Sequence, residues 1–193
     1  LLYLPYLPAI SWFRDYLQAT EVVIEAEENF VKSTNRNRSY IVGSNGRMLL
    51  SIPIAGGRDH HQKYKELKTL NTQWQKSHWQ SIRSAYGSSP FFEHYAPLLE
   101  PLYKGGETNL FVFNQRLLNI LLRLLKINKP YSLTEVYEKA LEAHTDHRKQ
   151  TGSYVLPRYY QVFEDKHGFV PDLSVIDLLF NMGPQSLKYL QDI

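Results

Sequence analysis

Between Lys32 and Arg38 three cations, Lys32, Arg36 and Arg38, are interleaved with Asn35 and Asn37, a few residues beyond Glu21-Val22-Val23-Ile24-Glu25. Guanidinium groups in such a cluster can clamp a phosphate or a carboxylate through paired hydrogen bonds. A carboxylate nearby, Glu25 or Glu27, could then serve as the base for an anion held by Arg36 or Arg38. A solvated connector carrying ordinary surface arginines is the plainer reading of the same residues, and the sequence leaves both open.

His78 shares a helical face with Trp74 and Ile82, so its imidazole is held rigidly, and a fixed imidazole can move a proton near neutral pH. A hydrogen-bonded core histidine has the same pattern. Tyr86 lies further along that helix, at a corner around Gly87 with Arg83 and Glu93, where it could present a polar group to a cleft or simply pack. His144, Asp146 and His147, with His60 and His61, are chemically suited to metal, yet their spacing fits no known ligand template, and no metal is expected. Ser174 and Asp177 look like a nucleophile and an acid. Their spacing is that of a capping box ahead of an apolar helix, which is the reading preferred here.

Several chemistries drop out. The chain has no cysteine, which removes disulfides, thiolate metal sites and cysteine nucleophiles. There is no Gly-x-x-x-x-Gly-Lys-Ser/Thr phosphate loop, no Gly-x-Gly-x-x-Gly turn, no His-Glu-x-x-His and no Gly-x-Ser-x-Gly elbow. The balance of 22 Lys and Arg against 19 Asp and Glu, a net +3, forms no long basic stripe, so no nucleic-acid partner is expected. The most apolar stretch, Leu110 to Ile127, is broken by Arg116, Arg123 and Lys126, so no membrane span is expected either. The start lacks Met and a basic leader and is interrupted by Pro5 and Pro8, which predicts a cytoplasmic chain whose natural beginning lies a few residues upstream.

The elements that must position these groups follow from periodicity. Leu1 to Leu4 is a short apolar run ended by proline, and Ile10, Phe13, Tyr16 and Leu17 keep helical spacing up to Ala19. Val22, Val23 and Ile24 predict a buried strand with Glu25 at its C-terminal end, the end at which α/β sheets bind ligands. Ser44-Asn45-Gly46-Arg47 between Tyr40 to Gly43 and Met48 to Ile54 predicts a hairpin with positive φ at both Asn45 and Gly46. Gly56 to Lys63 reads as a surface loop. Leu70, Trp74, Ser77, His78, Ser81, Ile82 and Ala85 predict a helix ended by Gly87. Ser89-Pro90 predicts the cap and first position of the next helix, and Thr108 the cap of a third, apolar nearly all round from Phe111 to Leu125. Tyr131 to Tyr137 competes with Glu135 to Ala143 as strand against helix, and Ala143 to Ser153 is loop-like. Val175 to Met182 is helical, stopped by Gly183-Pro184 ahead of a last helix. The sum is an α/β chain of 193 residues, one domain over 1 to 193. Its expected architecture is three-layer-like, a small sheet with a β-hairpin and a block of three to four core helices.

The run from Glu25-Ala26-Glu27-Glu28 to Arg38, the hairpin through Ser51-Ile52-Pro53-Ile54, Trp74 to His78, Ala85-Tyr86 with Pro90-Phe91-Phe92, and Gly168 to Pro184 together resemble the WbqC-like protein family. The resemblance is spread over most of the chain. It implies a place in bacterial O-antigen or surface-polysaccharide biosynthesis, with a glycyl-transferase role suggested for some members. Asn35, Arg36, Asn37, Arg38, His78, Tyr86 and Asp177 match family motif positions. Two departures stand out: many members have His-Gln-Pro ahead of the turn that is Tyr3-Leu4-Pro5 here, and a glycine-rich segment where this chain has Ala143 to Ser153. The expectation is a transferase moving a sugar, acyl or glycyl group on an anionic activated substrate. Glu25 and His78 would be catalytic, and Asn35, Arg36, Asn37, Arg38 and Tyr86 would bind substrate. A non-catalytic binding or assembly protein of the same fold is the alternative. The resemblance names no cofactor, and self-association as a homo-oligomer stays open.

Overall fold

Strands β1 (Leu2–Tyr3), β2 (Val23–Glu25) and β5 (Ser132–Leu133) run parallel and lie in the order β1-β2-β5. The structure is a computed structural model that describes residues 1–56, 62–137, 139, 145–149 and 155–193. Parallel neighbours cannot be joined by a tight turn. Helix α1 (Ile10–Gln18) makes the crossing from β1 to β2, and its Trp12 indole donates to the carbonyl of Tyr3 at 3.1 Å. The longer return to β5 carries most of the remaining mass.

That mass begins with the antiparallel hairpin of β3 (Arg38–Gly43) and β4 (Gly46–Ser51). Only Gly46 in its turn takes positive φ, +99°, so Asn45 does not adopt the left-handed conformation expected of it. Gly43 pairs with Gly46 across a Ser44-Asn45 turn, and the glycine absorbs the left-handed residue in the manner of a bulge beside a type I turn. Beyond Ser51 the second strand does not continue to Ile54, which forms an isolated bridge to Thr69 instead.

Helices α2 (Gln73–Tyr86), α3 (Phe92–Lys104) and α4 (Leu110–Leu124) then pack in sequence. Trp74, His78, Ile82 and Ala85 form the buried face of α2 as read from spacing, while Leu70 precedes the helix and is exposed. Ser89-Pro90 is a turn between α2 and α3 rather than a cap, because the helix begins after Phe91, whose N–H is spent on the carbonyl of Phe180. The cap of α4 is Asn109, whose side chain accepts from the Val112 N–H at 2.9 Å; the carbonyl of Thr108 is taken by the Thr69 N–H. Short α5 (Glu164–His167), then α6 (Val175–Met182) and α7 (Ser186–Gln191) close the chain, with Gly183 at φ +55° ending α6 as expected. One contiguous apolar core runs from Leu2 to Leu190, centred on Phe13, Phe113, Leu117 and Phe180. The architecture is mixed α/β: a small parallel sheet, a hairpin and a helical block in a single domain. Tyr131 to Tyr137 gives only the two strand residues of β5, and of the competing segment 135 to 143, residues 138 and 140 to 143 lie outside the described residues.

Candidate functional site

A cavity of about 730 Å³ opens where the chain leaves the C-terminal ends of the parallel strands. Tyr3 ends β1, the stretch from Glu27 to Arg36 follows β2, and Tyr137 and Lys139 follow β5. Arg36, Lys63, Lys139, Arg148 and Lys149 bring five cations to its wall, against the carboxylates of Glu27, Glu28 and Asp146. Such an edge is where open α/β sheets place ligands, since successive strands deliver their following loops to one spot.

Arg36 is fixed before any ligand arrives. Its Nε and Nη2 donate to the two carboxylate oxygens of Glu28 at 2.5 and 2.6 Å, and its guanidinium lies 4.9 Å from the centre of the Tyr3 ring. Asn35 donates to the Tyr3 hydroxyl at 3.1 Å. Burial pushes the Glu28 carboxyl above its ordinary pKa, and the guanidinium beside it holds part of that rise back. The Tyr3 hydroxyl, also buried, is pushed up to about 12 and stays protonated.

Glu25 sits behind this wall, 0% exposed. It accepts from the Glu27 N–H at 2.8 Å, from the Thr134 hydroxyl at 2.7 Å and from Arg148 Nη1 at 3.2 Å. Arg148 also donates to Asp146 at 2.8 Å and lies 5.3 Å from the Tyr137 ring. Arg148 thus separates Glu25 from the cavity that it lines itself.

Of the residues singled out by sequence, Glu27, Asn35, Arg36 and Asp146 therefore share the large cavity, with Glu25 at its back. Asn37 ties loop to sheet: its side chain donates to the Ile52 carbonyl at 3.1 Å, and its own carbonyl accepts the Ile52 N–H at 2.9 Å. Arg38 lines a separate, smaller cavity. His78 lines neither. Its Nδ1 is 2.9 Å from the Tyr6 hydroxyl, Trp74 packs edge-on against it, and burial lowers its pKa to about 4, partly offset by the backbone of Ser51. Tyr86 is buried against Phe180 in the core.

Asp177 is no half of a capping box. Ser174 does cap α6, accepting from the Ile176 N–H at 3.4 Å, but the Ser174 N–H that a box would offer Asp177 goes to the Tyr40 carbonyl. Asp177 accepts instead from the Tyr159 hydroxyl at 2.5 Å and from Gln161 at 3.0 Å, and burial raises it to about 6. Among the described residues no three His, Asp or Glu side chains gather as a metal site. His60, His61 and His144 lie outside the described residues, as do most of the loops 56 to 63 and 143 to 153, and His147 pairs with Asp15 at 3.2 Å.

Sequence reasoning misses Glu28, Arg148 and the three lysines, and it considers Asp146 only as a metal ligand. A buried arginine needs a carboxylate, so the adjacent Glu27-Glu28 was a usable hint for Arg36. Nothing local points from Glu25 to Arg148, 123 residues away.

Fold and site together define a mixed α/β protein with a polar, cation-rich cavity at the edge of a parallel sheet. The sequence model of the WbqC-like protein family matches residues 5–155. The chain belongs to that family. It is 27% identical over 217 residues to "Uncharacterized protein Rv1507c" of Mycobacterium tuberculosis, a similarity covering 96% of this chain and 94% of that protein. No solved structure matches it. Among the described residues no helix is long and apolar enough to cross a membrane.

Proposed function

We propose that the chain is a transferase that takes an anionic activated sugar, acyl or glycyl donor into the cavity at the ends of β1, β2 and β5, in the surface-polysaccharide setting its family resemblance implies. The observation that carries the reading is the convergence of five cations and three carboxylates on one cavity of about 730 Å³, a volume within the roughly 300–1,000 Å³ of small-molecule sites. Arg36 is held in place by Glu28, whereas Lys139 and Lys149 are exposed and have no side-chain partner among the described residues, so they are the cations left to receive a phosphate or carboxylate.

In this reading an acceptor hydroxyl or amine attacks the activated carbon, its proton passes to a carboxylate, and the leaving group departs with its electron pair toward the lysines. The proton goes to Glu28 rather than to Glu25 or His78. Glu28 lines the cavity, which Glu25 and His78 do not, and burial raises its pKa, which favours its taking up a proton. Glu25 contributes by anchoring Arg148. The pairing of Glu28 with Arg36, Asp146 with Arg148 and Glu27 with Lys65 favours the second reading, a binding protein without turnover, because each cavity acid already has a cation.

Calorimetric titration of nucleotide-sugars and acyl thioesters separates these. Lys139→Ala with Lys149→Ala should weaken the bound class about tenfold or more, the loss of one to two charge-assisted contacts. Unchanged affinity would sink the site assignment. With the binding class identified, Glu28→Gln should lose turnover beyond whatever affinity it loses through the Arg36 that it leaves without a carboxylate; a wild type that binds and never turns over selects the binding protein.

A further inference from the structure

Asn35 lines a second cavity, of about 230 Å³, between the hairpin and the start of α6. In the β3/β4 register, Val42 pairs with Arg47 and Tyr40 with Leu49. Side chains alternate faces along a strand, so Arg38, Tyr40 and Arg47 stand on the same face of the hairpin. Both arginines line the cavity. The Arg47 guanidinium stacks 3.7 Å from the centre of the Tyr40 ring, which fixes its plane. Arg38 is half-buried; its Nε is fully buried without a hydrogen-bond acceptor, and no carboxylate pairs with it among the described residues. A buried guanidinium nitrogen left without an acceptor is costly unless something else supplies one.

The rest of the wall does not supply it. Asp172 is the one carboxylate there, and its two oxygens are engaged by the N–H and hydroxyl of Ser11, both at 2.9 Å. The Ser39 hydroxyl donates to the Leu7 carbonyl. The N–H groups of Ser174, Val175 and Ile176 are all bonded within the protein, so the helix start offers no free donor. Two arginines against one satisfied carboxylate leave the cavity a net cation with unused donors. Its volume falls below the roughly 300 Å³ where whole-ligand sites begin, so it suits one group and not a nucleotide. One guanidinium fork satisfies a planar carboxylate; two, arriving from different strands, suit a tetrahedral group with more acceptor positions.

We infer that Arg38 and Arg47 form a phosphate-binding site on the hairpin, separate from the large cavity and bordering it through Asn35. The inference stands on its own geometry and survives if the transferase reading fails.

The test is a titration of the full chain with inorganic phosphate, followed through the Arg38 Nε–Hε resonance and the amides of the hairpin, against sodium chloride at matched ionic strength. Phosphate should give a saturable shift of the Arg38 resonance that chloride does not. Arg47→Ala, a change at an exposed side chain, should weaken binding about tenfold or more, as expected for one charge-assisted hydrogen bond. Arg38→Met should abolish the saturable hairpin shifts, while Lys139→Ala with Lys149→Ala should leave them unchanged. Equal shifts with chloride, saturation that ignores both arginine variants, or loss in the lysine variant instead would each overturn the site.

Discussion

The guanidinium of Arg36 meets both carboxylate oxygens of Glu28, at 2.5 and 2.6 Å, with each residue only 5% exposed. Removing one member strands the other charge away from water. Arg36→Met should therefore cost about 3–5 kcal/mol, the size typical of a broken buried pair. Replacing both, Arg36→Met with Glu28→Leu, should recover most of that loss, because no buried charge remains. The loop itself keeps its anchor in either variant, since the Asn114 side chain donates to the Arg36 carbonyl at 2.8 Å. Urea midpoints of wild type, single and double variants check this; a double variant no better than Arg36→Met contradicts it.

Thr134 performs two tasks at the joint between β2 and β5. Its hydroxyl accepts from the Ala26 N–H at 2.9 Å and donates to Glu25 at 2.7 Å. Thr134→Val keeps the shape and removes both bonds, leaving a fully buried carboxylate short of one donor, at a cost of about 1–3 kcal/mol. Thr134→Ser keeps the hydroxyl and should retain most of the stability. Equal unfolding free energies for Val and Ser would show that the hydroxyl contributes nothing.

The contrast between α4 and β5 explains what the sequence made visible. Fifteen residues with Leu and Phe on nearly every face leave no choice but a central helix, and Val22 to Ile24 could hardly be anything but a buried strand. Ser132 and Leu133 are both exposed and only two residues long, so no alternation marks them; they become a strand by lying beside β2. The site divides in the same way. Arg36 and its partner Glu28 lie 8 residues apart in one loop, but Arg148 reaches Glu25 across a separation no local pattern encodes. Local spacing also misleads where a distant partner decides. Ser174-x-x-Asp177 has the spacing of a cap, yet Tyr159 takes the carboxylate. His78 was recognisable as a held imidazole, while the Tyr6 hydroxyl that holds it comes from 72 residues away.

His78 and Asp177 should oppose one another in the pH dependence of stability. In the folded chain His78 titrates near 4, against 6.5 for the unfolded residue, so between those values the unfolded chain binds the extra proton. Stability from His78 is complete above pH 6.5 and is lost as pH falls toward 4, by about 3 kcal/mol in all. Asp177 behaves in the reverse sense. Its folded value is near 6 against 3.8 unfolded, so the folded chain binds the extra proton, and stability declines by about 3 kcal/mol as pH rises from 3.8 to 6. The windows overlap, and the two slopes largely cancel in the wild type. His78→Asn, which leaves a polar atom for Tyr6, should uncover the decline with rising pH; Asp177→Asn should uncover the increase. Unfolding free energies at pH 4, 5, 6 and 7 should then diverge in opposite directions from wild type, and parallel curves for all three proteins would refute the assignment.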